Sequence, residues 1–160
     1  MAMDHSTKTG MSFGVTSAII TTLGLMVGLY AGTHSTLVVI GGILTIAIAD
    51  AFSDALGIHI SEESENKHTV KEIWTSTLST FFFKFVFTMT FMVPVLLFDL
   101  GAAVSISIMW GLALLGALSA MMAMERKEKP WKVIGEHVGI AVAVIIITNY
   151  VGMWIAGVFG

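Results

Sequence analysis

The sequence predicts an all-α, polytopic membrane protein with five transmembrane helices, and three observations support this fold class. The chain of 160 residues is 56% hydrophobic and only 12% charged, whereas a typical soluble domain carries about 25% charged residues. Its mean hydropathy is +0.88. The apolar residues form long blocks, each near or above the roughly 20 residues that a helix needs to cross a bilayer. Because backbone groups in lipid must be hydrogen-bonded within their own segment, we expect these blocks to be helices.

The predicted segments form a single transmembrane domain over residues 1–160. Their approximate bounds are 12–31, 36–60, 74–98, 101–124 and 133–158. An odd number of segments without self-similarity argues against an inverted-repeat transporter within one chain. The absence of cysteine excludes disulfides and thiolate metal sites. No nucleophile–base pair, phosphate loop or cofactor motif is evident, so we expect neither an enzyme nor a tightly bound cofactor.

The basic residues are distributed asymmetrically, and this predicts the orientation in the membrane. The N-terminus and the connections after segments two and four hold seven lysines and arginines, whereas the opposite connections and the C-terminus hold none. The seven are Lys8, Lys67, Lys71, Arg126, Lys127, Lys129 and Lys132. The positive-inside rule then places the N-terminus in the cytoplasm and the C-terminus outside. We expect an integral protein of a prokaryotic cell membrane whose surroundings are membrane lipid, with no nucleic-acid partner.

The first segment combines small and hydroxyl-bearing residues. Gly24, Gly28 and Gly32 are four residues apart, which on a helix forms a ridge that a second helix can approach closely. Ordinary helix packing is one interpretation of this segment. In the other, Ser17 and Thr21 also face a conduction path.

The second segment carries two aspartates within an apolar run. Asp50 and Asp54 are four residues apart, so on a helix both carboxylates lie on one face. Each would cost roughly 2.5–3.5 kcal/mol inside a bilayer unless a metal ion, a proton, a cationic side chain or water offsets it. Ser53 belongs to the same narrow polar stripe, which predicts a path-lining role. The alternative is that both aspartates are neutralised by partners and only fix helix packing.

A lysine occupies a similar depth in the third segment. Lys84 is ten residues from Trp74, so it lies ~15 Å from the cytoplasmic end of its helix, about the depth of Asp50. A lysine at that depth is too far from the headgroups to reach them easily. We therefore expect Lys84 to pair with Asp50 and to balance its charge. One carboxylate, assigned to Asp54, is then left to hold a proton or to contribute to a cation site.

The connection after the second segment is predicted to be a loop over residues 61–73. Its three glutamates, Glu62, Glu63 and Glu65, are candidates for capturing metal ions at a cytoplasmic mouth, because clustered negative charge raises the local concentration of cations. The alternative is an ordinary solvated loop.

Two stretches of the sequence resemble a known family. The first is GVTSAIITTLGL at residues 14–25, and the second comprises AFSDALG at 51–57 with SEESE at 61–65. Together with the five-segment layout, they resemble the vacuolar iron transporter family, which includes the yeast vacuolar iron importer and the plant nodulin-21-like proteins. The resemblance implies a homodimer that moves Fe²⁺, and often Mn²⁺, out of the cytosol in exchange for protons. It also implies a path along the two-fold axis lined by segments one and two.

The chain departs from that family at three points. Asp54 stands where the family usually has a metal-binding methionine, and Ser17 stands where it has an aspartate. The connection at 61–73 is too short for the family's cytoplasmic metal-binding domain. The differences from the family at Ser17 and Asp54 have two interpretations. Either the metal site has moved onto the second segment, or the protein no longer transports iron.

The residues and the resemblance together predict a proton-coupled transporter of a divalent metal ion, Fe²⁺ or Mn²⁺. Asp50 and Asp54 from two subunits would place four carboxylates near the dimer axis, and their oxygens suit these metals without excluding Mg²⁺ or Ca²⁺. An entering dication would displace protons held by the crowded carboxylates. The rival hypothesis is a non-transporting accessory membrane subunit, in which Asp50 and Lys84 form a packing ion pair. A third is a proton-coupled exporter of a small organic cation.

Overall fold

The structure is a computed structural model that describes residues 4–160, and every regular element among them is helical. The elements in chain order are α1 (His5–Thr33), α2 (Thr36–Thr45), a π-helical turn (Ile46–Asp50), α3 (Ala51–Glu65), α4 (Val70–Thr90), α5 (Met92–Leu97), α6 (Leu100–Glu125) and α7 (Pro130–Phe159).

Five helical spans within residues 4–160 are long and apolar enough to cross a membrane, which confirms the predicted fold class at that level. The spans are His5–Thr33, Thr36–Glu65, Val70–Leu97, Leu100–Glu125 and Pro130–Phe159. Each is longer than its apolar block at one end or both, because polar residues at the ends continue or cap the helices. Asp4, for example, caps α1 by accepting a hydrogen bond from the backbone N–H of Thr7 at 2.7 Å.

The first helix lies at the centre of the bundle and contacts α2, α4, α6 and α7. The half of α1 that contains Gly28 and Gly32 packs closely on α7 through glycines. A Cβ placed on Gly152 would lie 2.3 Å from the carbonyl oxygen of Gly28 and 3.0 Å from the amide nitrogen of Gly32. The glycine ridge of the first segment therefore serves helix packing, as one of its two interpretations predicts.

The third span is interrupted near its C-terminal end. Helix α4 ends at Thr90, Phe91 forms a turn, and α5 continues from Met92. Pro94 accounts for this break, because a proline cannot donate to the carbonyl of the residue four positions earlier, here Thr90, and its ring crowds that carbonyl. The backbone N–H of Phe91 instead bonds the carbonyl of Thr88 at 3.1 Å.

The predicted loop at residues 61–73 is shorter than expected. Helix α3 continues through Glu65 and ends where Asn66 adopts a left-handed conformation with φ of 54°. Helix α4 begins after Thr69, whose side chain and that of Glu72 form a capping box. The prediction of a loop from residue 61 was wrong because polarity was taken as a sign of irregular structure. The three glutamates are in fact good helix formers.

Candidate functional site

The candidate site is centred on Lys84, whose side chain is completely buried. Its ammonium nitrogen donates to Asp54 Oδ2 at 2.5 Å and to Ser17 Oγ at 2.9 Å. It also lies 2.5 Å from Asp50 Oδ2. Helices α1, α3 and α4 and the π-helical turn thus each contribute one polar group to a single cluster. We call Ser17, Asp50, Asp54 and Lys84 the lysine–aspartate cluster.

Lysine and aspartates meet at the same level of the bundle. Asp50 lies at the midpoint of the 30-residue span Thr36–Glu65, and Lys84 lies near the midpoint of the 28-residue span Val70–Leu97. The depth match predicted from residue counting is thus present in the structure. An ionised group at such a position is tolerated when it faces a partner within the bundle.

The lysine is shared between both aspartates rather than paired with Asp50 alone. Its contact with Asp54 is an aligned hydrogen bond, whereas its contact with Asp50 is an ion pair whose angle lies outside hydrogen-bond geometry. The prediction that Asp54 is the uncompensated carboxylate does not match this arrangement. One positive charge faces two carboxylates, so when all three groups are ionised the cluster carries a net charge of −1.

A π-helical turn precedes Asp54 and ends at Asp50. The N–H of Ala51 bonds the carbonyl of Ile46, five residues earlier, in place of the usual four. Such turns contain one more residue than an α-helical turn and occur frequently at functional sites. Asp50 ends this turn and Asp54 lies four residues later in α3, and both carboxylates reach the same ammonium group.

The buried face of α4 is polar, as is expected where polar side chains of a membrane helix face the bundle interior. Ser76, Thr80, Lys84 and Thr88 recur every four residues, and all four are completely buried. The hydroxyl of Thr80 donates to the carbonyl of Ser76 at 2.8 Å. The hydroxyl of Thr88 lies 3.4 Å from that of Thr22 on α1. Sequence reasoning missed this face, although the spacing of its polar residues is visible in the sequence.

Close contact between α1 and α4 brings Ser17 to Lys84. A Cβ on Gly10 would lie 2.5 Å from the carbonyl oxygen of Ser76, and one on Gly14 would lie 2.7 Å from that of Thr80. Only glycine fits where the two backbones approach this closely. These two glycines position the cluster, and sequence reasoning missed them as well.

The other predicted path-lining residues lie apart from the lysine contacts. Thr21 is half-buried, and its hydroxyl donates to the backbone carbonyl of Ser17 at 2.8 Å. Ser53 is exposed on the outer face of the second span, next to Asp54 but turned away from the bundle.

The three glutamates at the end of α3 point in different directions. Glu63 and Glu65 are exposed, and Glu65 lies 3.9 Å from both Lys67 and His68. Glu62 is buried, and among residues 4–160 its Oε2 atom has no hydrogen-bond partner. The three glutamate side chains do not form one cluster. Their joint role in capturing metal ions stays a prediction.

One chain alone offers an incomplete ligand set for a metal ion. Among the described residues, no group of three or more His, Cys, Asp or Glu side chains is arranged to hold a metal. The two carboxylates of the lysine–aspartate cluster supply hard oxygen ligands, but divalent metals of the predicted kind require about six. Further ligands would have to come from water or from a second copy of the chain.

The carboxylates are also accessible from outside the bundle. The side chain of Asp50 is 35% exposed and that of Asp54 is 19% exposed. Both aspartates therefore present carboxylate oxygens, a group that can bind a cation or a proton, at the surface of the single chain.

Comparison with models of protein families, with curated proteins and with solved structures returned no match. The resemblance to the vacuolar iron transporter family stays a prediction that rests on the quoted motifs.

Proposed function

We propose that this chain transports a divalent metal ion, Fe²⁺ or Mn²⁺, out of the cytoplasm in exchange for protons. The observation that carries the proposal is a single buried lysine shared by two accessible carboxylates at the middle of the bundle. Pairs of this kind inside membrane helices mark ion and proton pathways more often than packing devices. The metal ion is cargo in this proposal.

In the proposed cycle, Lys84 acts as the internal cation of the empty site. A dication that approaches Asp50 and Asp54 replaces the ammonium group and any bound protons, because one doubly charged ion neutralises both carboxylates. When the metal leaves, protons and Lys84 again balance the carboxylates. The same groups thus bind the cargo and the coupling ion, and this provides the basis for exchange.

The proposal includes a homodimer, in which two copies meet through the outer face of the second span. Asp50 and Asp54 at mid-membrane depth would otherwise be exposed to lipid at a cost of roughly 2.5–3.5 kcal/mol for each charge. Small residues at four-residue spacing lie on this face and would allow close approach. They are Gly41, Thr45, Ala49, Ser53 and Gly57, and all five are exposed in the single chain. Two copies would then bring four carboxylates together.

The proposed direction of transport follows from the resemblance to the vacuolar iron transporter family, which implies movement of metal out of the cytosol. With the N-terminus in the cytoplasm, the lysine-rich connections and Glu62 face the compartment from which metal is taken. We propose the cell membrane of a prokaryote as the location.

A second candidate function is a non-transporting accessory subunit. The full burial of Lys84 and its contacts with Ser17, Asp50 and Asp54 favour this alternative. In that case the cluster fixes the packing of three helices and releases none of its groups.

Transport measurements in liposomes distinguish these functions. The full chain is reconstituted with a pH-sensitive dye inside, and Mn²⁺ is added outside. We expect metal-dependent proton movement that Asp54→Asn abolishes without changing the size-exclusion profile. Asp99→Asn is a matched control, because Asp99 is an aspartate that caps α6 at one end of the bundle, away from the lysine–aspartate cluster.

Three outcomes would contradict the proposal. If the wild type moves neither metal nor protons, the accessory function is favoured. If Asp54→Asn transports as well as Asp99→Asn, the cluster is not the transport site. Proton movement that requires a small organic cation and no metal would identify a different cargo.

A further inference from the structure

The end of the bundle that carries the basic residues contains a cavity of about 520 Å³ between α1, α6 and α7. In the outer half of α7, Gly152 packs directly on the α1 backbone. In the inner half, a Cβ on Gly135 or Gly139 would meet no atom of residues 4–160 within 4 Å. We call this cavity the inner wedge.

The rim of the inner wedge carries a net positive charge. Lys8 Nζ contacts Glu125 Oε1 at 2.8 Å, so these two charges neutralise each other. Arg126 lines the same rim, is exposed, and has no ion-pair partner among the described residues. One arginine is therefore available at the opening, with Lys8 beside it.

The interior of the inner wedge is largely apolar, and Phe13 and Met122 line it. Thr9, Ser12, Thr16 and His137 add polar groups to the lining. The Nδ1 atom of His137 lies 2.8 Å from Ser119 Oγ, and the Ser119 hydroxyl donates to the carbonyl of Leu115 at 2.6 Å. When the single Ser119 proton bonds the Leu115 carbonyl, the Ser119 oxygen accepts from His137 Nδ1–H. The Nε2 atom is then the ring nitrogen left for a ligand.

We propose that the inner wedge binds an anionic phospholipid. The phosphate binds Arg126 and Lys8 at the rim, and an acyl chain lies between α1 and α7 against Phe13 and Met122. Arginine forms two parallel hydrogen bonds with a phosphate group, and basic pockets between transmembrane helices bind anionic headgroups. The apolar interior fits a lipid rather than a soluble anion. This inference does not depend on the transport proposal.

Native mass spectrometry of the full chain tests the proposal with two probes, dioleoylphosphatidylglycerol and dioleoylphosphatidylcholine. We expect the wild type to retain the anionic lipid more strongly than the zwitterionic one. Arg126→Gln should weaken binding of the anionic lipid about tenfold, the effect of losing one or two charge-assisted hydrogen bonds. Lys132→Gln is the matched control, because it removes one positive charge at the same end from a residue that does not line the wedge. Lys132→Gln should change binding of the anionic lipid less than twofold.

A second variant tests the cavity rather than the charge. Thr16 lines the inner wedge, and Thr16→Phe fills its interior while leaving Arg126 and Lys8 in place. We expect loss of the retained lipid with an unchanged size-exclusion profile. Equal retention of the two lipids by the wild type would overturn the proposal without any variant. Equal weakening by Arg126→Gln and Lys132→Gln would also overturn it, because binding would then follow overall charge.

Discussion

Replacing Lys84 with methionine removes the shared cation while keeping a side chain of similar length. The two carboxylates of Asp50 and Asp54 then face each other without compensation. Removing one member of a buried ion pair costs roughly 3–5 kcal/mol, most of it from the charge left behind. The aspartate side chains are 35% and 19% exposed in the single chain, so this ion pair is only partly buried. We therefore expect a loss of about 3 kcal/mol, at the lower end of that range.

The free energy of unfolding of Lys84→Met is measured by titration of detergent-solubilised protein with a denaturing detergent, followed by circular dichroism. Double-mutant cycles with Asp54→Asn and Asp50→Asn separate the two contacts. We expect the larger coupling with Asp54, which is less exposed and forms the aligned hydrogen bond. A loss below about 1 kcal/mol, in the range of exposed ion pairs, would refute the reasoning. So would additive effects in both cycles, because the lysine would then not be shared.

Three further predictions concern the packing and capping of the helices. Gly152→Ala should destabilise the protein by about 1–3 kcal/mol in the same unfolding assay, because the added Cβ would overlap the α1 backbone. Gly157→Ala is the control and should be nearly neutral, because its Cβ would meet no described atom within 4 Å. Thr69→Ala should cost about 1 kcal/mol through loss of the N-cap of α4, measured likewise. The backbone N–H of Thr7 lowers the pKa of Asp4 below its ordinary value of 3.8, so the cap contributes fully above that pH and is lost as pH falls through the lowered value. Amide exchange in the first turn of α1 should therefore accelerate in that acidic range in the wild type, and Asp4→Asn should remove this pH dependence.

The number and approximate position of the spans could be predicted because long apolar blocks have few alternatives in a membrane. The ends were less predictable. Glu62, Glu63 and Glu65 are polar, so hydropathy alone placed them in a loop, although their helix propensity continues α3. The sequence did not show where the third span breaks, because the position where a helix resumes near a proline depends on local hydrogen bonds.

The cluster was predictable in its members but not in its geometry. Counting residues placed Lys84 and Asp50 at similar depth, and this agrees with the structure. Counting residues gives the depth of each side chain but not the contacts of the ammonium group, so it did not show that Lys84 is shared between Asp50 and Asp54. The packing of Gly10 and Gly14 against α4 could not be predicted for a related reason. Small residues indicate close helix packing but not which helix they contact.

The polar buried face of α4 has a consequence for biogenesis. Helices enter the membrane in the order of their synthesis, so the segments carrying Ser17, Asp50 and Asp54 are in place before Lys84 leaves the ribosome. A lysine at the centre of an isolated segment opposes insertion by roughly 2.5–3.5 kcal/mol. The earlier carboxylates provide a counter-charge at the depth where Lys84 must come to rest. The incoming helix is thereby held in one vertical and rotational position, and a nascent chain that lacks both aspartates would insert α4 less efficiently.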